Sequence, residues 1–228
     1  MVGGMPTPLV PPGTPLTGRW LRLDLLREDD LDELYPVLAD PEVYRQGYVM
    51  HHRPDSPEDS AELARQKFLV DQGQADGRGG GRTVYAIRLA QLSDLGPAGT
   101  LVGTSSLLEA DVHNESIHVG STLYGSRWWG TPVNAEAKLL LLGHCFDDLG
   151  YGRVKIQTDR LNTRSQAAIA KLGAQREGVL RRHTKREDGT FRDLVVFSVL
   201  ADEWPGVKAG LAGRLDAAAL SLGGPGAG

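Results

Sequence analysis

One cysteine, Cys145, occurs in 228 residues. No internal disulfide can form, so no oxidised framework holds this chain. Cys145 follows an apolar run, Leu139 to Leu142, where a small buried thiol is the plain reading. Basic excess is also lacking: 25 Lys and Arg against 29 Asp and Glu leave a formal charge of −4. Nucleic acid selects a basic face, so it is not an expected partner. A mildly acidic balance suits cationic substrates, but only modestly. No apolar run approaches the roughly 20 residues of a membrane span. Met1 to Pro15 has neither a basic start nor an apolar core and does not read as a signal peptide. A cytoplasmic location with no membrane partner is therefore expected. Cys and carboxylate spacings suited to a metal are absent, and so are internal repeats. Gly79-Gly80-Gly81 imitates a phosphate loop, but no strand precedes it and no Gly-Lys-Ser/Thr follows. It reads as a flexible hairpin loop.

What remains is an ordinary globular composition, 40% hydrophobic and 24% charged, in a chain long enough for one large domain. Residues 1–17 read as an irregular Pro/Gly-rich arm, and 216–228 as a flexible Gly-rich tail. Between them, alternation from Arg19 to Leu25 predicts a strand. Asp29 and Asp30 cap a helix carrying Leu31, Leu34 and Leu38, stopped at Asp40-Pro41. Pro57-Glu58 opens a second helix to about Val70. Thr83–Leu89, Leu101–Leu108 and Ser116–Leu123 read as strands, most economically an antiparallel meander. A helix from Pro132 to Leu149, a strand Val154–Thr158 and a helix Thr163–Leu172 follow. Gln175–His183 and Phe191–Leu200 flank Asp188-Gly189, a hairpin signal. Asp202–Leu215 closes the chain as a helix. The helix between Ser116–Leu123 and Val154–Thr158 makes those two strands a parallel pair.

The most informative stretch is Trp128-Trp129-Gly130-Thr131-Pro132-Val133-Asn134-Ala135-Glu136-Ala137. It reads as a tight loop entering a long helix. A helix start leaves about four N–H groups unpaired and carries partial positive charge, which suits an anion, most often phosphate. Asn162-Thr163-Arg164-Ser165 opens a second helix that ends at Leu172-Gly173. Two such starts suggest a cleft for a phosphorylated cofactor.

The ordered set of Trp129-Gly130, Asn134, Glu136-Ala137, Leu149-Gly150-Tyr151-Gly152-Arg153-Val154, Asn162 with Ser165, and Lys171-Leu172-Gly173-Ala174 resembles the GNAT acetyltransferase superfamily. Within it the chain is similar to the RimJ/RimL-type branch, which acetylates protein N-termini and small amines. The resemblance runs from about Gly18 to about Trp204. It implies a mixed α/β (α+β) fold in one domain, residues 18–215. The sheet would be central, mixed and mostly antiparallel, splayed between its fourth and fifth strands, with helices on both faces. Acetyl-CoA would enter the gap.

The resemblance also implies roles. Backbone N–H groups from Gly130 through Thr131, Pro132, Val133 and Asn134 to Ala135 would hold the CoA diphosphate, with Trp129 packing beside them. Arg127 and Gly130 match the first and fourth positions of the family's loop pattern. Pro132 departs from it at the sixth and removes one donor, though proline is tolerated in a first turn. Glu136 is structural in the family and is not a catalyst candidate. Asn162 is fully explained as an N-cap; by resemblance it also contacts pantetheine. Ser165 would contact CoA or protonate the leaving thiolate. The family's usual Tyr, seven residues past the Asn, is replaced by Ile169, so Ser165 or water remains for that proton. Arg164 and Lys171 either meet the 3′-phosphate or face solvent.

His118 stands where the RimL-like pattern carries Glu two residues before a Gly, here Gly120. It is the candidate general base, since imidazole titrates near neutrality; a strand-face His with one hydrogen bond is the bland alternative. A backbone N–H near Leu123 would polarise the thioester carbonyl. Tyr48, in the segment that roofs the acceptor pocket, and Asp193, after the hairpin turn, are substrate-binding candidates, Asp193 alternatively a hairpin pin. The expected function is an acetyl-CoA-dependent N-acetyltransferase acting on a protein or peptide N-terminus or a small amine such as an antibiotic or polyamine. Attack would be direct, in a ternary complex, by a monomer or homodimer. The alternative is a catalytically weak acyl-CoA-binding sensor or interaction module on the same fold.

Overall fold

The structure is a computed structural model that describes residues 7–45, 49, 51–186 and 188–222. Eight strands form one sheet: β1 (Leu16–Thr17), β2 (Leu21–Leu25), β3 (Arg82–Leu89), β4 (Leu101–Asp111), β5 (Ser116–Tyr124), β6 (Arg153–Asp159), β7 (Gln175–Lys185) and β8 (Phe191–Leu200). Their spatial order is β1-β2-β3-β4-β5-β6-β8-β7. Every pairing is antiparallel except β5 with β6. The period-2 pattern has its physical cause in the pleat: Leu21 and Leu23 of β2 are fully buried while Arg22 between them faces out.

Expected strands are found with small extensions, and β1 is an addition inside the arm taken as irregular. That arm is docked: Leu9 N–H donates to Leu149 O at 2.9 Å, and the Tyr85 hydroxyl donates to Thr14 O at 3.3 Å. The first expected helix is instead two 3-10 turns, Glu28–Asp30 and Asp32–Leu34, running into α1 (Tyr35–Leu38). Asp40 does not stop the chain there. Its Oδ1 accepts Glu42 N–H at the start of α2 (Pro41–Tyr44), and its Oδ2 accepts Ser126 N–H at 2.6 Å, tying this region to the loop after β5. Helix α3 (Pro57–Ala64) is capped by Ser56 and widens into a π-helical stretch, Arg65–Leu69. Helices α4 (Pro132–Gly143), α5 (Thr163–Lys171) and α6 (Trp204–Leu222) complete the fold. α6 runs seven residues past the expected Leu215, because Leu211 and Leu215 bury themselves in the core and the Ala-rich continuation is a good helix former. Among the described residues no helix is long and apolar enough to cross a membrane.

The core is aliphatic, with Leu, Val and Ile from β2 to β6 packed with Leu141, Leu142 and Cys145. Burial pushes the Cys145 thiol up, so it stays a neutral thiol. Glu136 is the fifth residue of α4, not part of its first turn, and is 3% exposed. Its two carboxylate oxygens accept the N–H groups of Arg19 (2.5 Å) and Trp20 (2.9 Å). It clamps the entry of β2 to α4, the structural role expected for it.

Candidate active site

β5 and β6 pair over three residues only, Ser116↔Arg153, Ile117↔Val154 and His118↔Lys155. Both strands then continue, β5 to Tyr124 and β6 to Asp159, without pairing to each other. A cleft of about 390 Å³ opens in the gap, with His118 to Tyr124 on one side and Ile156 to Thr158 on the other. The register of β5 against β4 shifts between Thr104↔Leu123 and Ser106↔Gly120, placing a bulge at Ser121 and Thr122. Ser121 takes φ +46°, unusual for a side-chain-bearing residue. A bulge frees backbone groups from the ladder and re-aims them. It lies one to two residues before Leu123, which lines the cleft as well.

Two helix starts close one end of the gap. Thr131 caps α4, accepting Val133 N–H at 3.3 Å and donating to Trp128 O at 2.7 Å, and Pro132 begins the first turn. Asn162 caps α5 by accepting Ser165 N–H at 2.9 Å. Gly130 has φ +77° and open space where a Cβ would stand. Trp129 is held by its Nε1–H to Tyr124 O, and the Arg164 guanidinium lies 3.2 Å from the centroid of its ring. This cation–π contact joins the α5 start to the loop before α4.

The structure brings His118, Leu123, Trp129, Gly130, Asn134, Asn162 and Ser165 into the cleft lining. It does not bring Arg127 there. That guanidinium turns to Leu95 O at 3.4 Å and lies over Trp128. Thr131, Pro132, Val133 and Ala135 are not in the lining either, and the side chains of Val133 and Ala135 are buried. Asp193 is also outside: its Oδ1 accepts Arg182 N–H at 2.8 Å and its Oδ2 lies 3.4 Å from Arg160, which pins the hairpin. Its neighbour Arg192 lines the cleft instead. Tyr48 falls outside the described residues.

His118 is 5% exposed. Its Nδ1 stands 3.4 Å from Glu109 Oε1, close enough for attraction but outside hydrogen-bond geometry. Nε2 has no partner and presses against Gly120, where a Cβ would sit only 2.4 Å away. Burial lowers the imidazole below its usual pKa, so the ring is neutral. Glu109, half-exposed, is held down at about 2 by the neighbouring His118 and by an ion pair with Lys155.

Sequence reasoning missed Lys138 and Arg192. Lys138 is 5% exposed and lines the cleft, its Nζ donating to Thr122 Oγ1 at 2.8 Å. Its position four residues after Asn134 on one helix face was the available signal. Arg192 and Arg186 share the buried carboxylate of Asp159. Among the described residues the lining carries Lys67, Lys138, Arg164 and Arg192 with His51 and His118, and no carboxylate. In a chain of net charge −4, this local excess of cations fits an anionic ligand.

Comparison with known proteins identifies the family. Residues 21–175 match the Acetyltransferase (GNAT) domain family, and the chain belongs to that family. It is an acetyltransferase of the class whose cofactor is acetyl-CoA. A solved structure of a candidate acetyltransferase from T. thermophilus is 37% identical with a TM-score of 0.71, over 88% of this chain and 96% of that one. Mycobacterium smegmatis RimJ, solved with CoA-disulfide, shares the fold at 19% identity and TM-score 0.68, over 88% and 93% of the two chains. An uncharacterised N-acetyltransferase, p20 of Bacillus licheniformis, is 30% identical over 106 residues, 46% of this chain and 58% of that protein. The match thus spans little more than half the length of this relative.

Proposed function

We propose that the chain is a cytoplasmic N-acetyltransferase of RimJ/RimL type, acetylating a primary amine by direct attack in a ternary complex. The observation that carries this is the cleft between β5 and β6, which residues of two helix starts line and which, among the described residues, carries cations and no carboxylate. Acetyl-CoA supplies an acetyl group activated as a thioester. The N–H groups at the α4 start, with Gly130 and Asn134, hold its diphosphate. Asn162 and Ser165 face its pantetheine arm. Backbone N–H groups at the Ser121–Thr122 bulge polarise the carbonyl.

His118 receives the amine proton. Its Glu109 neighbour favours the tautomer with hydrogen on Nδ1, leaving Nε2 basic. Because Nε2 is buried, the proton reaches it through the substrate or one water. The lowered imidazole pKa keeps the base competent to pH values below 6.5. The acid limb of kcat/KM is therefore expected below that pH, and His118→Ala removes it while lowering kcat by roughly 10²-fold. An unchanged profile in the variant eliminates His118 as base.

The test of the whole reading is calorimetric titration of acetyl-CoA into wild type and Asn134→Ala, followed by an amine panel with thiol detection. Binding weakened by the variant, together with turnover, supports it. No binding overturns it. The burial of both His118 nitrogens and Ile169 at the usual Tyr position favour a second reading, an acyl-CoA sensor. Tight binding with no turnover on any amine would select the sensor.

A further inference from the structure

Lys138 is a buried ammonium that the roles above leave unused. Among the described residues no carboxylate lies within ion-pair distance of its Nζ, and the Thr122 hydroxyl, itself 2.7 Å from Ser105 Oγ, accepts its hydrogen bond. The titratable groups facing it are the neutral Cys145 thiol, in the π-helical stretch His144–Asp148 that follows α4, and the neutral His118 ring on β5. A buried charge without a counter-ion is costly. It persists where a ligand brings the negative charge.

Position says which ligand. Asn134 and Lys138 lie one turn apart on the same face of α4, about 6 Å along the helix, and both line the cleft. Lys138 is therefore on the donor side of the gap, and its Nζ meets β5 at the bulge. Ile169, 5% exposed, lines the same cleft and offers no acidic hydrogen.

We propose that Lys138 is the general acid that stabilises and protonates the departing CoA sulfur, an inference that rests on the acetyl-CoA reading above. The amine nitrogen forms its bond to the carbonyl carbon, the carbon–sulfur bond breaks with its electrons on sulfur, and Nζ gives sulfur a proton. The proton lost by the amine goes to His118 or water. Lys138 regains its own from solvent as product leaves. Thr122 and Ser105 hold Nζ in place. Desolvation brings the lysine down to about 8, which suits proton donation near neutrality.

The experiment reads the thiol of bound CoA directly, by ultraviolet absorption of its thiolate through a pH titration of the full chain. A cation within about 4–6 Å lowers the pKa of an acid by about 1–3. In wild type, bound CoA is expected to ionise at least about one pH unit below free CoA, and Lys138→Met returns it to the free value. In the same variant kcat falls about 10²-fold with KM for acetyl-CoA unchanged. Desulfo-CoA, which lacks the thiol, binds both proteins equally and reports an intact cleft. If bound CoA ionises at the same pH in wild type and variant while desulfo-CoA binds, the inference fails and the cofactor reading stands. If desulfo-CoA does not bind wild type, both fall.

Discussion

Replacing Lys138 by methionine should stabilise the fold, and by an amount that depends on pH. Burial takes the lysine from 10.5 to about 8. At 1.36 kcal/mol per pH unit this is a cost of roughly 3 kcal/mol for the folded state wherever the ammonium is present. The sign follows from proton counting. Between pH 8 and 10.5 the unfolded chain still holds a proton that the folded chain has released, so wild-type stability rises with pH through that window. Below pH 8 the full cost applies. Methionine keeps the length of the side chain and removes the charge, at the loss of the bond to Thr122, about 1 kcal/mol. The net gain at pH 7 is about 2 kcal/mol, or about 4–8 °C in Tm for a chain this long. Urea unfolding at intervals from pH 7 to 10.5 should show the two stability curves converging as pH rises and crossing near the top of that range, where the lost bond to Thr122 outweighs the vanishing charge cost. Parallel curves, or a variant less stable at pH 7, would refute the assignment of an unpaired buried ammonium. A more stable but slower enzyme is the usual signature of a strained functional residue.

Glu136→Ala should cost about 3–5 kcal/mol in urea unfolding, because it leaves the Arg19 and Trp20 N–H groups without acceptors inside the β2–α4 junction; a loss under about 1 kcal/mol would show that water replaces the carboxylate. Gly120→Ala should displace the His118 ring, whose Nε2 and Cε1 would lie 2.4 and 2.6 Å from the new Cβ. It is expected to lower kcat about tenfold or more at a stability cost of about 1–3 kcal/mol. Unchanged turnover would mean that the ring position does not matter.

Pattern made most of the fold legible in the sequence. Sequence pattern marked β2 to β8 within a few residues, Asp188-Gly189 marked the final hairpin, and Gly130 with Pro132 and Asn162 marked two helix starts. These are local properties: the pleat, the turn and the cap each depend on neighbours in the chain. The segment from Glu28 to Leu38 was read as one helix and is broken into short turns, because packing of Leu31, Leu34 and Leu38 under the sheet outweighs helix propensity.

The cleft was legible only as an expectation, since three residue pairs and then none between β5 and β6 is a long-range fact. Site chemistry followed the same division. The sequence by itself determined which residue types stand at the loop and caps, so Gly130, Asn134 and Asn162 could be named. It did not show that Arg127 turns away, that Asp193 pins a hairpin while Arg192 enters the cleft, or that His118 is buried beside Glu109. Those outcomes depend on which strand lies alongside, and sheet register sets that. Lys138 is the clearest case. On a helix surface it reads as one more solvated cation, and only the sheet packed against α4 strips its water and gives the charge a task.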